Sequence, residues 1–115
     1  MHEVSLAGGV LQLVEESARR ERFSRVISLH LEAGQLSGVD VDALRFALDG
    51  LAPGTVLEGA QWVIDQPPGQ AWCMPCGDTV ELRERGRPCP RCGSFQLQPT
   101  GGMELRVLDL QVGDN

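Results

Sequence analysis

A chain of 115 residues with 42% hydrophobic content can form one ordinary domain, or a small domain plus a metal module, around a modest core. Ten arginines and no lysine face sixteen carboxylates, and the formal charge of −6 disfavours nucleic acid, whose binding rests on clustered positive charge. No apolar run approaches a membrane span and Met1-His2-Glu3 is not the basic start of a secretory signal, so no membrane association and a cytoplasmic location are expected.

The spacing predicts a first helix over residues 4–22. Leu6, Val10, Leu13 and Val14 recur at helical spacing, and Glu15, Glu16, Arg19, Arg20 and Arg22 fill the other face. Gly8-Gly9 weakens its early turns. Residues 25–33 read as a strand, with Ile27, Leu29 and Leu31 alternating with Ser28, His30 and Glu32. After a turn over Gly34–Gly38, Asp40 or Asp42 can cap a second helix running to Leu51, which Pro53-Gly54 ends. Residues 55–65 read as a second strand region. Gln66-Pro67-Pro68-Gly69 reads as a stiff linker.

The segment that follows holds every cysteine in the chain. Cys73-Met74-Pro75-Cys76 and Cys89-Pro90-Arg91-Cys92 are two C-x2-C knuckles separated by twelve residues. Each knuckle can place two thiolates on one metal ion, and the pair makes the four-sulfur shell of structural zinc. Gly77 and Gly93 follow the second cysteine of each knuckle, where the chain must turn back. With four thiolates and one Zn2+, the net charge becomes about −8. A thioredoxin-like redox centre needs only one such pair, and two disulfides would suit a secreted chain. A rubredoxin-like iron site uses the same ligands.

Short strands are expected near Thr79–Arg83 and Phe95–Gln98, and Pro99-Thr100-Gly101-Gly102 reads as a second break. Residues 103–112 read as a long strand that returns to the first sheet, because an isolated terminal strand leaves its backbone groups unsatisfied. The expected fold is therefore α+β: two helices on a small mixed β-sheet with an inserted zinc-ribbon-like module. The expected division is residues 1–68 plus 100–115 for one domain and residues 69–99 for the zinc-binding domain.

The amino terminus is a second candidate site. The Met1 amine has an ordinary pKa of about 7.7–8.0, so its lone pair is available near neutral pH. The amine and the His2 backbone nitrogen close a five-membered chelate ring, and the His2 backbone nitrogen and Nδ1 close a six-membered one. Three nitrogens in a plane select Ni2+ or Cu2+. The Glu3 backbone nitrogen, the Glu3 carboxylate, water or a partner's group can supply the fourth ligand.

Met-His-Glu at the start, a helix, Leu31-Glu32-Ala33-Gly34-Gln35-Leu36-Ser37 and the two late knuckles together resemble the HypA/HybF family. Its members are nickel-insertion accessory proteins of NiFe-hydrogenase maturation. The resemblance runs from residue 1 to about residue 112. It implies a nickel metallochaperone with a labile Ni2+ at the amino terminus and a structural Zn2+ at Cys73, Cys76, Cys89 and Cys92. It implies His2 as the essential nickel ligand, assisted by the Met1 amine and the Glu3 backbone, with Asp40 a further candidate at an acidic position that lies near the nickel site in some members and differs in many. The implied partners are a HypB-type nickel GTPase and the NiFe-hydrogenase large subunit. No catalytic constellation is apparent, and no enzyme is expected. The alternative is a zinc-ribbon adaptor that binds protein without transferring nickel.

The remaining polar and aromatic features have ordinary readings. His30 reads as a strand residue on a half-exposed face. Glu15-Glu16 and Arg19-Arg20 read as a solvated helix face with i,i+4 pairs. Arg83, Arg85, Arg87 and Arg91 balance the zinc–thiolate centre or dock an acidic partner. Trp62 and Trp72 read as core or boundary residues.

Overall fold

The structure is a computed structural model and describes residues 2–113. Its elements, in chain order, are α1 (His2–Glu21), β1 (Arg25–Ala33), α2 (Val41–Leu51), β2 (Gln61–Asp65), β3 (Gly69–Cys73), β4 (Asp78–Leu82), β5 (Leu97–Gly101) and β6 (Leu105–Gly113). Two three-stranded sheets form, one in the order β2-β1-β6 and the other β4-β3-β5. The fold is the expected α+β arrangement of two helices and small sheets with an inserted cysteine module.

The chain separates into two compact units. The first gathers the residues through Leu31, Asp40–Ile64 and the chain from Val107 onward, and the second holds Glu32–Val39 and Asp65–Arg106. In the first unit α1 buries Ala7, Val10 and Val14, and α2 buries Leu44, Ala47 and Leu48. The two helices pack on each other, and in β1 the alternating Leu29, Leu31 and Ala33 are buried, as is Val26 at its start. Helix α1 ends where Arg22 adopts a left-handed φ of 61° and the Phe23 amide reaches back to the Ala18 carbonyl at 3.2 Å. That is the hydrogen bond of a Schellman-type cap.

Of the two capping candidates for α2, the structure selects Asp40. Its backbone is extended (φ −81°, ψ 106°), and its side chain accepts from the Ala43 amide at 3.1 Å. Asp42 lies in the first turn, where a negative charge complements the helix dipole. The Ala52 amide still bonds to Leu48, and Pro53 cannot continue the ladder.

Three strand expectations need correction. Residues 55–60 form consecutive turns, and β2 begins only at Gln61. Thr55, Glu58 and Ala60 donate to the carbonyls of Ala52, Thr55 and Leu57, so short-range bonds replace a ladder. Leu57 is fully buried although it lies in a turn. Next, the proposed linker ends at a strand: β3 starts at Gly69, with Ala71 and Cys73 buried and Gln70 and Trp72 exposed. Finally, β5 covers Leu97–Gly101 rather than 95–98 and so includes Pro99. Proline is tolerated there because β5 is an edge strand. A register irregularity at Gln70/Ala71 pairs them with Gly101 and Pro99, skipping Thr100. The return of β6 to β1 is as expected.

The second unit is built on a small buried cluster of Leu36, Ala71, Cys73, Val80, Leu82 and Cys89. Two of its six members are metal-type ligands, so the apolar core is thin. Backbones meet closely beside it. A Cβ on Gly69 would run into the Leu36 side chain and come within 2.6 Å of the Leu82 carbonyl oxygen.

Candidate metal centre

The end of β3 delivers Cys73, and the turn into β4 delivers Cys76. The loop before β5 carries Cys89 and Cys92. The two knuckles repeat one local geometry. Gly77 donates to the Cys73 carbonyl and Gly93 to the Cys89 carbonyl, each at 2.9 Å. Their φ values are 62° and 76°, a conformation that a Cβ would strain. Two further amide bonds fix the knuckles, Met74 to Gln96 at 3.0 Å and Cys89 to Ser94 at 2.8 Å.

All four sulfurs lie within 4.8 Å of one another. Across the knuckles, Cys73 and Cys92 Sγ are 3.6 Å apart and Cys76 and Cys89 Sγ 3.9 Å apart. A tetrahedron with zinc–sulfur bonds of about 2.3 Å has edges of about 3.8 Å, so the donor set fits such an ion. The cysteines are free, which removes the two-disulfide reading. Crowding of four thiols divides their acidities. Hydrogen bonding from Cys92 and Cys73 and burial push the Cys76 thiol up to about 12. The Cys92 amide lowers Cys89 to about 6 against its burial, with the Arg91 amide, 3.4 Å from its sulfur, assisting. The Cys76 amide favours the Cys73 thiolate, but burial and the Cys92 and Cys89 sulfurs together raise it. A divalent cation resolves this competition by stabilising all four thiolates.

Asp78, just after the first knuckle, accepts from Arg91, inside the second, at 3.0 Å. The Arg91 guanidinium holds the Asp78 carboxyl below its ordinary range, and Asp78, Cys76 and Cys89 raise the Arg91 pKa. Both side chains are more than half exposed, so the pair orients the knuckles more than it stabilises them.

At the other candidate site, Met1 lies outside the described residues. His2 and Glu3 occupy the first turn of α1. His2 is 62% exposed, and its Nδ1 lies 3.4 Å from Glu3 Oε2. That same carboxylate oxygen accepts from the Asp40 amide at 3.2 Å. The Asp40 amide, with smaller help from His2, holds the Glu3 carboxyl below its ordinary range. The structure thus brings His2, Glu3 and Asp40 together from the starts of α1 and α2. The Asp40 carboxylate itself is engaged as the α2 cap. The resemblance implies Asp40 near the amino-terminal site, but the direct Glu3–Asp40 contact, which joins residues 37 apart, has no local sequence signal.

The ordinary readings fare unevenly. His30 is a strand residue paired with Asp109 at 3.1 Å. Arg20 meets Ser17 and Glu21 rather than a glutamate one turn away. Trp72 is 42% exposed, and the half-exposed Trp62 donates its indole N–H to Asp49 at 2.7 Å, so neither is a core residue.

Comparison with known proteins identifies the family. A family model described as hydrogenase/urease nickel incorporation, metallochaperone, hypA, matches residues 1–112. A hydrogenase maturation factor HypA from Polaromonas naphthalenivorans is 61% identical over 99% of both chains. Its counterpart from Cupriavidus necator is 62% identical over 100% of this chain and 97% of that one. The solution structure of the nickel metallochaperone HypA from Helicobacter pylori shares the fold, with a TM-score of 0.70 at 21% identity over 98% of each chain. The chain belongs to the HypA family of nickel-incorporation metallochaperones for hydrogenase maturation.

Proposed function

We propose that this HypA-family chain binds one labile Ni2+ at its amino terminus and delivers it during assembly of the NiFe-hydrogenase active site. The convergence of His2, Glu3 and Asp40 at the open end of α1 is the observation that carries the reading. The Met1 amine, the His2 amide nitrogen and His2 Nδ1 are the proposed donors, with the Glu3 backbone or carboxylate completing the set. The first amides of a helix have no intrahelical acceptor, so losing the His2 or Glu3 amide proton breaks no helical bond. The positive end of the α1 dipole opposes a cation held there, and the Glu3 carboxylate offsets it.

In the same proposal, Cys73, Cys76, Cys89 and Cys92 hold a structural Zn2+. The zinc fastens the knuckles to each other. The division of labour assigns nickel to residues 1–68 plus 100–115 and zinc to residues 69–99, and it is functional, with the packing units keeping their own boundaries. The protein is a carrier rather than an enzyme. Its partners in this reading are a HypB-type nickel GTPase and the NiFe-hydrogenase large subunit in the cytoplasm.

Calorimetric titration of untagged, zinc-loaded protein with Ni2+ tests the proposal. Wild type should bind one Ni2+ and His2→Ala none, with zinc at one per chain in both. Unchanged nickel affinity in His2→Ala removes the amino terminus from the mechanism and favours the adaptor reading.

A further inference from the structure

We propose that an arginine-rimmed cavity in the cysteine unit docks an acidic segment of a partner protein through one large apolar side chain. The cavity measures about 190 Å3 and lies wholly within that unit. Its floor is Leu36, Leu82 and Leu97, its outer wall is Phe95, and Arg85 and Arg87 stand on its rim. Small-molecule sites run to roughly 300–1,000 Å3, so this volume suits a side chain better than a free ligand. A single exposed phenylalanine is ordinary on a protein surface. Phe95, 71% exposed, instead extends an apolar floor outward into solvent.

The charge on the rim identifies the occupant. The segment from Arg83 to Arg91 carries four arginines against one glutamate in a chain whose net charge is −6. Arg91 faces Asp78 and the thiolates and so serves the metal centre. Arg87 bonds Glu84 at 3.2 Å with both side chains about two-thirds exposed, a pair that exchanges readily. Arg85 donates its Nε to the Leu36 carbonyl at 2.7 Å, which fastens its stem to the cavity floor. Its terminal nitrogens meet no carboxylate among the described residues, and Arg83 has none either. A guanidinium fixed through Nε presents its remaining N–H groups as a fork for a carboxylate. An apolar anchor flanked by carboxylates therefore matches both the floor and the rim. The proposal does not depend on nickel.

The probe is a fluorescein-labelled Asp-Glu-Leu-Asp-Glu peptide, titrated by anisotropy into the zinc-loaded full-length chain. The expected result is saturable binding that weakens at least tenfold when the peptide leucine becomes serine. Phe95→Ala and Arg87→Glu should each weaken it at least tenfold. Both variants alter exposed side chains, and both should keep zinc at one per chain and nickel binding unchanged. Amide shifts on binding should centre on Leu36, Leu82, Phe95 and Leu97. No saturable binding, equal binding of the serine peptide, or indifference to both variants overturns the proposal. Equally effective displacement by single-stranded DNA assigns the arginines to nucleic acid and overturns it too. A concentration-dependent dimer abolished by Arg87→Glu does the same in favour of a second copy of the chain.

Discussion

Removing one knuckle cysteine should unfasten the whole cysteine unit, and comparing a buried with an exposed cysteine shows why. Cys73 is 0% exposed and sits in the buried cluster, whereas Cys92 is exposed. The large aliphatic members of that cluster are Leu36, Val80 and Leu82. At about 1.5–3 kcal/mol each, their burial is worth about 5–9 kcal/mol. A structural zinc in a small module supplies about 10–16 kcal/mol at neutral pH, so the metal stabilises the unit more than its apolar cluster does. If the cysteines matter as ligands, Cys73→Ala and Cys92→Ala should fail alike. Changes outside the ligand shell already cost 10–100-fold in affinity, so each variant should lose zinc affinity by more than about a hundredfold. Chelator competition measures that loss. Hydrogen exchange should then show residues 69–99 opening while α1 and α2 stay protected. If the cysteines matter only as packing, Cys73→Ala alone should be damaging. A Cys92→Ala protein that holds its zinc against chelator as wild type does would refute the four-sulfur reasoning.

Asp40→Ala should cost about 1 kcal/mol in urea denaturation through loss of the α2 cap, and Asp40→Asn much less. Two glycines should respond with opposite signs in the same assay. Gly69→Ala should destabilise by about 1–3 kcal/mol, because the new methyl meets Leu36 and the Leu82 carbonyl. Gly8→Ala should stabilise by about 0.5–1 kcal/mol, since a methyl there meets nothing within 4 Å in a helix. Zinc affinity should fall as pH falls, because Cys76, pushed up to about 12, and the raised Cys73 give up protons on binding. The fall should steepen below about 6, where Cys89 also protonates, and competitive zinc titration across that range measures it.

The four-cysteine cluster was legible because its signals are local. Each knuckle places two cysteines and a positive-φ glycine within five residues, and the structure reproduces that geometry twice. The helices were legible from apolar spacing, and the Asp40 cap from a short acidic residue before an apolar run. Strand boundaries fared worse where turn chemistry overrode apolarity. Leu57 is buried from a turn, so burial did not imply a ladder. In β3 Ala71 and Cys73 face inward and the large Trp72 outward, an alternation that residue size alone does not announce. Pro99 looked like a break because edge position is a property of the finished sheet. The Glu3–Asp40 contact joins two helix starts, and no periodicity announces it.

X-ray absorption at the nickel and zinc edges of untagged protein carrying both metals tests the two-site account most directly. The account predicts only nitrogen and oxygen neighbours around nickel, and four sulfurs at about 2.3 Å around zinc. A sulfur shell at the nickel edge would place nickel among Cys73, Cys76, Cys89 and Cys92 and would contradict delivery from the amino terminus.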